Sequence, residues 1–135
     1  MTIISEEVSK RMREDLENAY IEIIPVSGIE EKLGALQKNM HLAVTCSPTK
    51  GVDATMELSA KLIAQGFQVT PHISAKCVSG ERHLETIVKK LDALNIESIF
   101  VPGGDGPEPI GEFNNAYDLL KALQKSGHSI KKIGI

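Results

Sequence analysis

Four stretches of this sequence pair β-type residues with groups able to do chemistry. They read Ile21-Glu22-Ile23, Ala43-Val44-Thr45-Cys46, Thr70-Pro71-His72-Ile73-Ser74 and Val101-Pro102-Gly103-Gly104-Asp105. Glu22 gives the clearest signal. Alternate side chains of an extended chain face opposite ways, so Ile21 and Ile23 take one face and Glu22 the other. With the isoleucines packed on helices, the carboxyl points inward. A carboxyl group taken out of water without a partner is driven toward its neutral form, a good general acid near neutral pH. The competing reading is an exposed or ion-paired glutamate on a strand edge, because lone charges are seldom fully buried.

His72 joins Thr70 and Ser74 on an inward set when Val69 and Ile73 face the helices. It is then a donor to a ligand or, more plainly, a satisfied core histidine. His41, His83 and His128 stand at no metal-ligand spacing, so no metal is expected. Thr45 can hydrogen-bond a ligand, or equally the backbone. Cys46 and Cys77 fit neither a disulfide framework nor a zinc spacing, and Cys46 reads as a small buried residue. Gly103 and Gly104 let a ligand approach the backbone closely. Asp105 repels phosphate and suits the N–H donors of a pterin or amino-pyrimidine. An ordinary Gly/Asp turn is the other reading.

The elements that must hold these groups follow from periodicity. A helix capped by Ser5 carries Val8, Met12, Leu16 and Ala19 on one stripe. A strand over 20–24 is closed by Pro25 and Gly28, and a brief helix runs through Ile29, Leu33 and Leu36. A strand over 42–46 leads to a helix capped by Asp53, with Leu58 and Leu62 on one face and Gly66 past its end. A strand is expected over 67–74, although Pro71 cannot donate to a ladder. Leu84, Ile87, Val88, Leu91 and Leu94 mark a helix that stops near Asn95. The strand over 98–101 runs into the Gly103-Gly104 turn. Leu119, Leu120 and Leu123 carry a last helix before Gly127, and Lys131 opens a fifth strand.

Strand and helix alternate about every 30 residues, the size of a βαβ unit. The class is therefore α/β with a parallel sheet. A doubly wound sheet would show a glycine-rich turn after its first strand, and here that turn is Pro25-Val26-Ser27-Gly28. The expectation is a partial (β/α)8 TIM barrel: about the first four βα units plus the start of a fifth strand. A full barrel needs eight strands and about 250 residues. Residues 1–135 are thus read as the N-terminal part of one barrel domain, from a truncated sequence or a fragment. Open sheet edges in such a piece lead to self-association, as a homo-oligomer or an aggregate.

With 41% apolar and 24% charged residues, the 135-residue chain is globular rather than disordered. The net charge of −3 and only 4% aromatics argue against a nucleic-acid partner. No apolar run approaches the ~18 residues of a membrane span, and the N-terminus lacks signal-peptide features. A cytoplasmic protein without a membrane partner is expected.

Taken together, Ile21-Glu22-Ile23-Ile24-Pro25, Ala43-Val44-Thr45-Cys46-Ser47, Thr70-Pro71-His72-Ile73-Ser74-Ala75 and Val101-Pro102-Gly103-Gly104-Asp105-Gly106-Pro107-Glu108-Pro109 resemble the methylenetetrahydrofolate reductase family. The likeness runs from the first strand to the end of the chain. It implies a flavin-dependent barrel with FAD and NAD(P)H as cofactors, reducing 5,10-methylenetetrahydrofolate to 5-methyltetrahydrofolate. Glu22 is similar to the acid that protonates the folate N10. Asp105 is similar to a residue touching both the flavin edge and the pterin of the folate substrate. Thr45, Cys46, His72, Gly103 and Gly104 match flavin-contacting positions, and Ala116 a further contact. Members of the family carry Arg-Gly-Asp where this chain has Gly103-Gly104-Asp105, which leaves only backbone contacts at Gly103. Two alternatives remain: a non-catalytic flavin- or pterin-binding half-barrel, and a folate-dependent demethylation partner of the same family.

Overall fold

Stripes of apolar side chains at helical spacing build the longer helices of the computed structural model, which describes residues 4–135. In chain order the elements are α1 (Glu6–Glu17), β1 (Tyr20–Ile23), α2 (Ile29–Leu33), β2 (His41–Val44), α3 (Gly51–Ala64) and β3 (Gln68–Pro71). After a 3-10 turn at Ala75–Cys77 come α4 (Glu81–Ala93), β4 (Ser98–Phe100), α5 (Ala116–Lys125) and β5 (Lys132–Gly134). The fold is α/β, with short parallel strands in two small sheets.

Pairing follows the chain: β1–β2–β3 in one sheet, β4–β5 in the other. A parallel bridge from His72 to Phe100 links the two sheets, and the Ile73 N–H donates to the Phe100 carbonyl at 2.8 Å. Pro71 explains why the link is so short. Successive residues of a parallel strand turn their N–H and C=O groups to alternate neighbours. The His72 N–H bonds to Val44 of β2, so Pro71 faces β4 and has no N–H to give. The strand expected over 67–74 is accordingly shortened to Gln68–Pro71. A doubly wound sheet reverses its strand order at a switch point, and the strands among the described residues show no such reversal.

The sheet is bent about one face. Lying flat, five strands spaced about 4.8 Å apart would put β1 and β5 about 19 Å from one another. Yet Lys132 Nζ of β5 lies 3.4 Å from Tyr20 Oη of β1. Side chains standing off the two ends of a flat sheet would not meet in this way.

The convex face carries the core. Ile23, Leu42, Val44 and Val69 pack with Leu33, Leu58, Leu62 and Phe67 in a smaller cluster. Ile73, Ile99 and Val101 pack with Met56, Ile87, Leu91, Leu119 and Leu123 in a larger one. The stripe of α4 is buried as its periodicity predicts, and Asn95 ends it at φ 53°. Two expectations shift. Asp53 lies in the first turn of α3 rather than at its cap, where the helix dipole still favours a carboxylate. Leu36 falls outside α2, which ends at Leu33. Ser5 caps α1 as expected, accepting from the Val8 N–H at 3.3 Å, but α1 buries no residue. Among the described residues no helix is long and apolar enough to cross a membrane.

Ile87 is 0% exposed in the larger cluster. Ile87→Ala is expected to lower unfolding stability by about 2–5 kcal/mol through lost burial and a residual cavity. Urea titration followed by circular dichroism checks it.

Candidate functional site

The strand residues that do not face the helices line the concave face. Strand register puts Glu22 beside Ala43 and Ala43 beside Thr70. Phe100 and Gly134 continue that face from His72 onward. Tyr20, Glu22, Ala43, Thr70, His72, Phe100 and Lys132 border a cleft of about 390 Å³. Alanine at position 43 is what leaves room between Glu22 and Thr70.

Glu22 points to this face, as alternation predicts, but it is exposed. The expectation of an inward, desolvated carboxyl is corrected on that point. No described element covers the concave face, so water reaches the side chain. His72 is half-buried, its ring 4.8 Å from that of Phe100. Burial lowers its pKa from 6.5, and the nearby Glu22 carboxylate partly opposes that shift. At neutral pH the ring is therefore a neutral imidazole, able both to donate and to accept. His41 Nε2 lies 2.9 Å from Thr70 Oγ1, and its ring packs tilted against that of Tyr20, 3.9 Å between centroids. Burial, and then Lys132, lower its pKa as well.

The remaining expected residues sit around the C-terminal ends of the strands rather than in the cleft. The Thr45 N–H donates to Ile23, and its carbonyl accepts from Thr55 Oγ1. Strand alternation turns its side chain to the concave side. Cys46 is turned the other way and packs against the larger core cluster. Burial first, and then the neighbouring Cys77 thiol, push the Cys46 thiol up to about 12. Burial thus keeps the thiol protonated at neutral pH. The Gly103 carbonyl accepts from the Lys76 N–H at 3.1 Å, and the Lys76 ammonium donates to the Gly106 carbonyl at 2.7 Å. Lys76 thereby holds the loop after β4 in place. Gly104 has φ +107°, and the space a Cβ would need is filled by Ser74 Oγ. Only glycine fits there. Asp105 is exposed on this loop. Ala116 opens α5 behind the Asn115 cap, which accepts from the Asp118 N–H at 3.0 Å, and packs against the core.

The structure thus brings Glu22 and His72 into one cleft, while Thr45 and the Gly103–Asp105 loop follow the C-terminal ends of β2 and β4 outside its lining. Sequence reasoning missed Lys132 and Tyr20. The alternation rule used for Glu22 would have found Lys132, because Ile133 and Ile135 flank an inward pair, Lys132 and Gly134.

A second polar group lies outside the cleft. His83 Nδ1 accepts from the Ser79 N–H at 3.1 Å, and Ser79 Oγ lies 3.2 Å away. Asp53 Oδ2 is 3.3 Å from His83 Nε2, but off the N–H direction. The ring nitrogen that would take a proton from Ser79 is already occupied by backbone, so the group caps α4 rather than activating a nucleophile. No cluster of three His, Cys, Asp or Glu with metal-binding geometry occurs among the described residues. No protein-family model matches the chain.

The lowered His72 pKa has a testable sign. Between that value and 6.5 the unfolded chain binds the proton and the folded one does not. Stability contributed by His72 is therefore lost as pH falls through this window. In an NMR titration the His72 ring should protonate below 6.5. Glu22→Gln, which removes the opposing carboxylate, should move its midpoint lower still. An unchanged midpoint would place the carboxylate too far away to act.

Proposed function

We propose that the concave face binds a flavin and a reduced folate, and that the chain is the catalytic-acid half of a methylenetetrahydrofolate reductase-like (β/α)8 barrel. The observation that carries this reading is that Glu22 and the neutral His72 line one cleft on the concave face. Sequential parallel strand order and the bend that brings Lys132 to Tyr20 support the barrel.

The donors suit an isoalloxazine edge. A neutral imidazole donates without adding charge, the Thr45 hydroxyl adds a second donor, and the Gly103-Gly104 backbone can be approached closely. FAD, reduced by NAD(P)H, would supply a hydride to the folate methylene carbon. Glu22, protonated once a cover over the concave face takes it out of water, would give that proton to the folate nitrogen that leaves as the five-membered ring opens. Asp105 accepts from the N–H groups of the pterin. The exposed Asp105 and the absence of a side chain at Gly103 favour one second reading, a flavin- or pterin-binding half-barrel without turnover.

Equilibrium dialysis and flavin fluorescence test the binding. FAD is expected to bind the chain weakly, and His72→Ala to weaken it about tenfold through loss of one hydrogen bond. Absence of FAD binding at saturating concentration overturns the reading. In the flavin-loaded protein, Glu22→Gln should leave reduction by NAD(P)H unchanged and slow the folate half-reaction by roughly 10²–10⁴-fold, the range of a lost general acid. Stopped-flow measurement of the two half-reactions separates them. Equal slowing of both makes Glu22 structural, and no slowing places the acid elsewhere.

A further inference from the structure

A carbonyl at the end of β2 has no strand donor. In a parallel pair a residue gives its N–H to one residue of the neighbouring strand and accepts at its carbonyl from the residue two further on. The Thr45 N–H donates to the Ile23 carbonyl at 2.9 Å, so the Thr45 carbonyl should accept from residue 25. Residue 25 is proline, which has no N–H to give. The Thr55 hydroxyl of α3 donates there instead, its Oγ1 2.9 Å from the Thr45 oxygen. Pro25 thus ends the β1–β2 ladder, and a helix side chain completes it.

The bond is unlike that of Ser59 on the same helix. A serine or threonine inside a helix commonly returns to the carbonyl four residues back. Ser59 Oγ does so, donating to the Thr55 carbonyl at 2.7 Å, and Thr86 Oγ1 donates to Arg82 at 3.1 Å. Thr55 Oγ1 reaches instead to a residue ten positions back, at the end of β2. Thr55 is 0% exposed, so solvent is kept from that side of the carbonyl. A β-branched side chain is stiff at χ1, so the direction of the Thr45 backbone decides where the Thr45 hydroxyl points.

We infer that Thr55 is a positioning residue of the candidate site: its buried hydroxyl fixes the Thr45 backbone and thereby aims the Thr45 hydroxyl at the ligand on the concave face. Thr55 itself lies on the helical side of the sheet and meets no ligand. Helix α3 is coupled to the site by this hydrogen bond as well as by packing. The inference deepens the proposed function and rests on it for the ligand, while the tether itself needs neither flavin nor folate.

Two measurements on the full chain test it: FAD affinity by equilibrium dialysis, and amide hydrogen exchange without flavin. Thr55→Val keeps the shape and removes the donor, and should weaken FAD binding about fivefold, the order of one modest hydrogen bond. Thr55→Ser keeps the hydroxyl and should restore most of the affinity. In a double-mutant cycle Thr55→Val should add nothing to Thr45→Val, because Thr55 acts only through that hydroxyl. Without flavin, Thr55→Val should speed exchange at the Thr45 amide about tenfold while the amides of α4 stay protected. Ser59→Ala removes an equally buried hydroxyl whose bond stays within α3, and should leave FAD affinity unchanged. Far-UV circular dichroism verifies folding, and Thr55→Ala serves where Thr55→Val does not fold. Full FAD affinity without the Thr55 hydroxyl overturns the inference. So do additive losses in the cycle, a serine variant no better than valine, or an equal loss in Ser59→Ala. Exchange that rises equally at Thr45 and along α4 makes Thr55 a general support of the fold and overturns it too. Absence of FAD binding by the wild type overturns the proposed function instead, and exchange at the Thr45 amide then decides the tether alone.

Discussion

Alternation along parallel strands is the constraint on which this structure depends. Each strand hides one set of side chains under helices and must offer the other set to the opposite face. Here the hidden set is almost wholly aliphatic: Ile23, Leu42, Val44, Val69, Ile73, Ile99 and Val101 are all buried. The other set is Tyr20, Glu22, His41, Thr70, His72, Ser98, Phe100 and Lys132, with Ala43 and Gly134 among them. No such set forms a dry core. The residues that make the fold stable therefore dictate, by parity alone, that polar chemistry is gathered on one concave surface.

That parity explains which features could be read from the sequence. Leu84, Ile87, Val88 and Leu91 announce α4 because helical spacing and burial coincide, and all four are buried. Glu22 announces its direction because isoleucines flank it. Its exposure could not be read, since burial depends on what lies across the face, and a strand's own residues carry no record of that. The neighbouring thiols of Cys46 and Cys77 come from segments 31 residues apart in the chain, joined only by the β2–β3 register and the 3-10 turn. Alternation did hold the answer for Cys46. It shares parity with Leu42 and Val44, so its side chain belongs to the core whatever its neighbour Thr45 does.

Pro71 shows how one residue can be legible as a problem and illegible as a solution. Its missing N–H is obvious from sequence, but which neighbour loses the bond depends on register. With Thr70 and His72 bonded toward β2, the loss falls on the β4 side, and the β3–β4 ladder begins only at His72. The link is then continued by loop backbone: the Ala75 N–H donates to Pro102 and the Lys76 N–H to Gly103. The proline thus shifts the junction of the two small sheets toward the C-terminal ends of the strands. His72 is part of that junction, and so are the carbonyls that fix the Gly103-Gly104 turn. The candidate site stands beside the most heavily cross-linked backbone between β3 and β4, which is the rigidity a positioned donor needs.

The same geometry sets the condition under which the cleft can act. Water competes with every hydrogen bond on an open face, and electrostatic terms there are weakened by its high dielectric. His72 escapes in part, because Phe100 shields one side of its ring and burial already holds it neutral. Glu22 has no such shield. Its isoleucine neighbours face the helices, and across β2 it meets only the methyl group of Ala43. Chemistry that needs a dry carboxyl at this position therefore requires a cover laid over the concave face itself. Repacking the core beneath cannot supply one, because every core side chain points the other way.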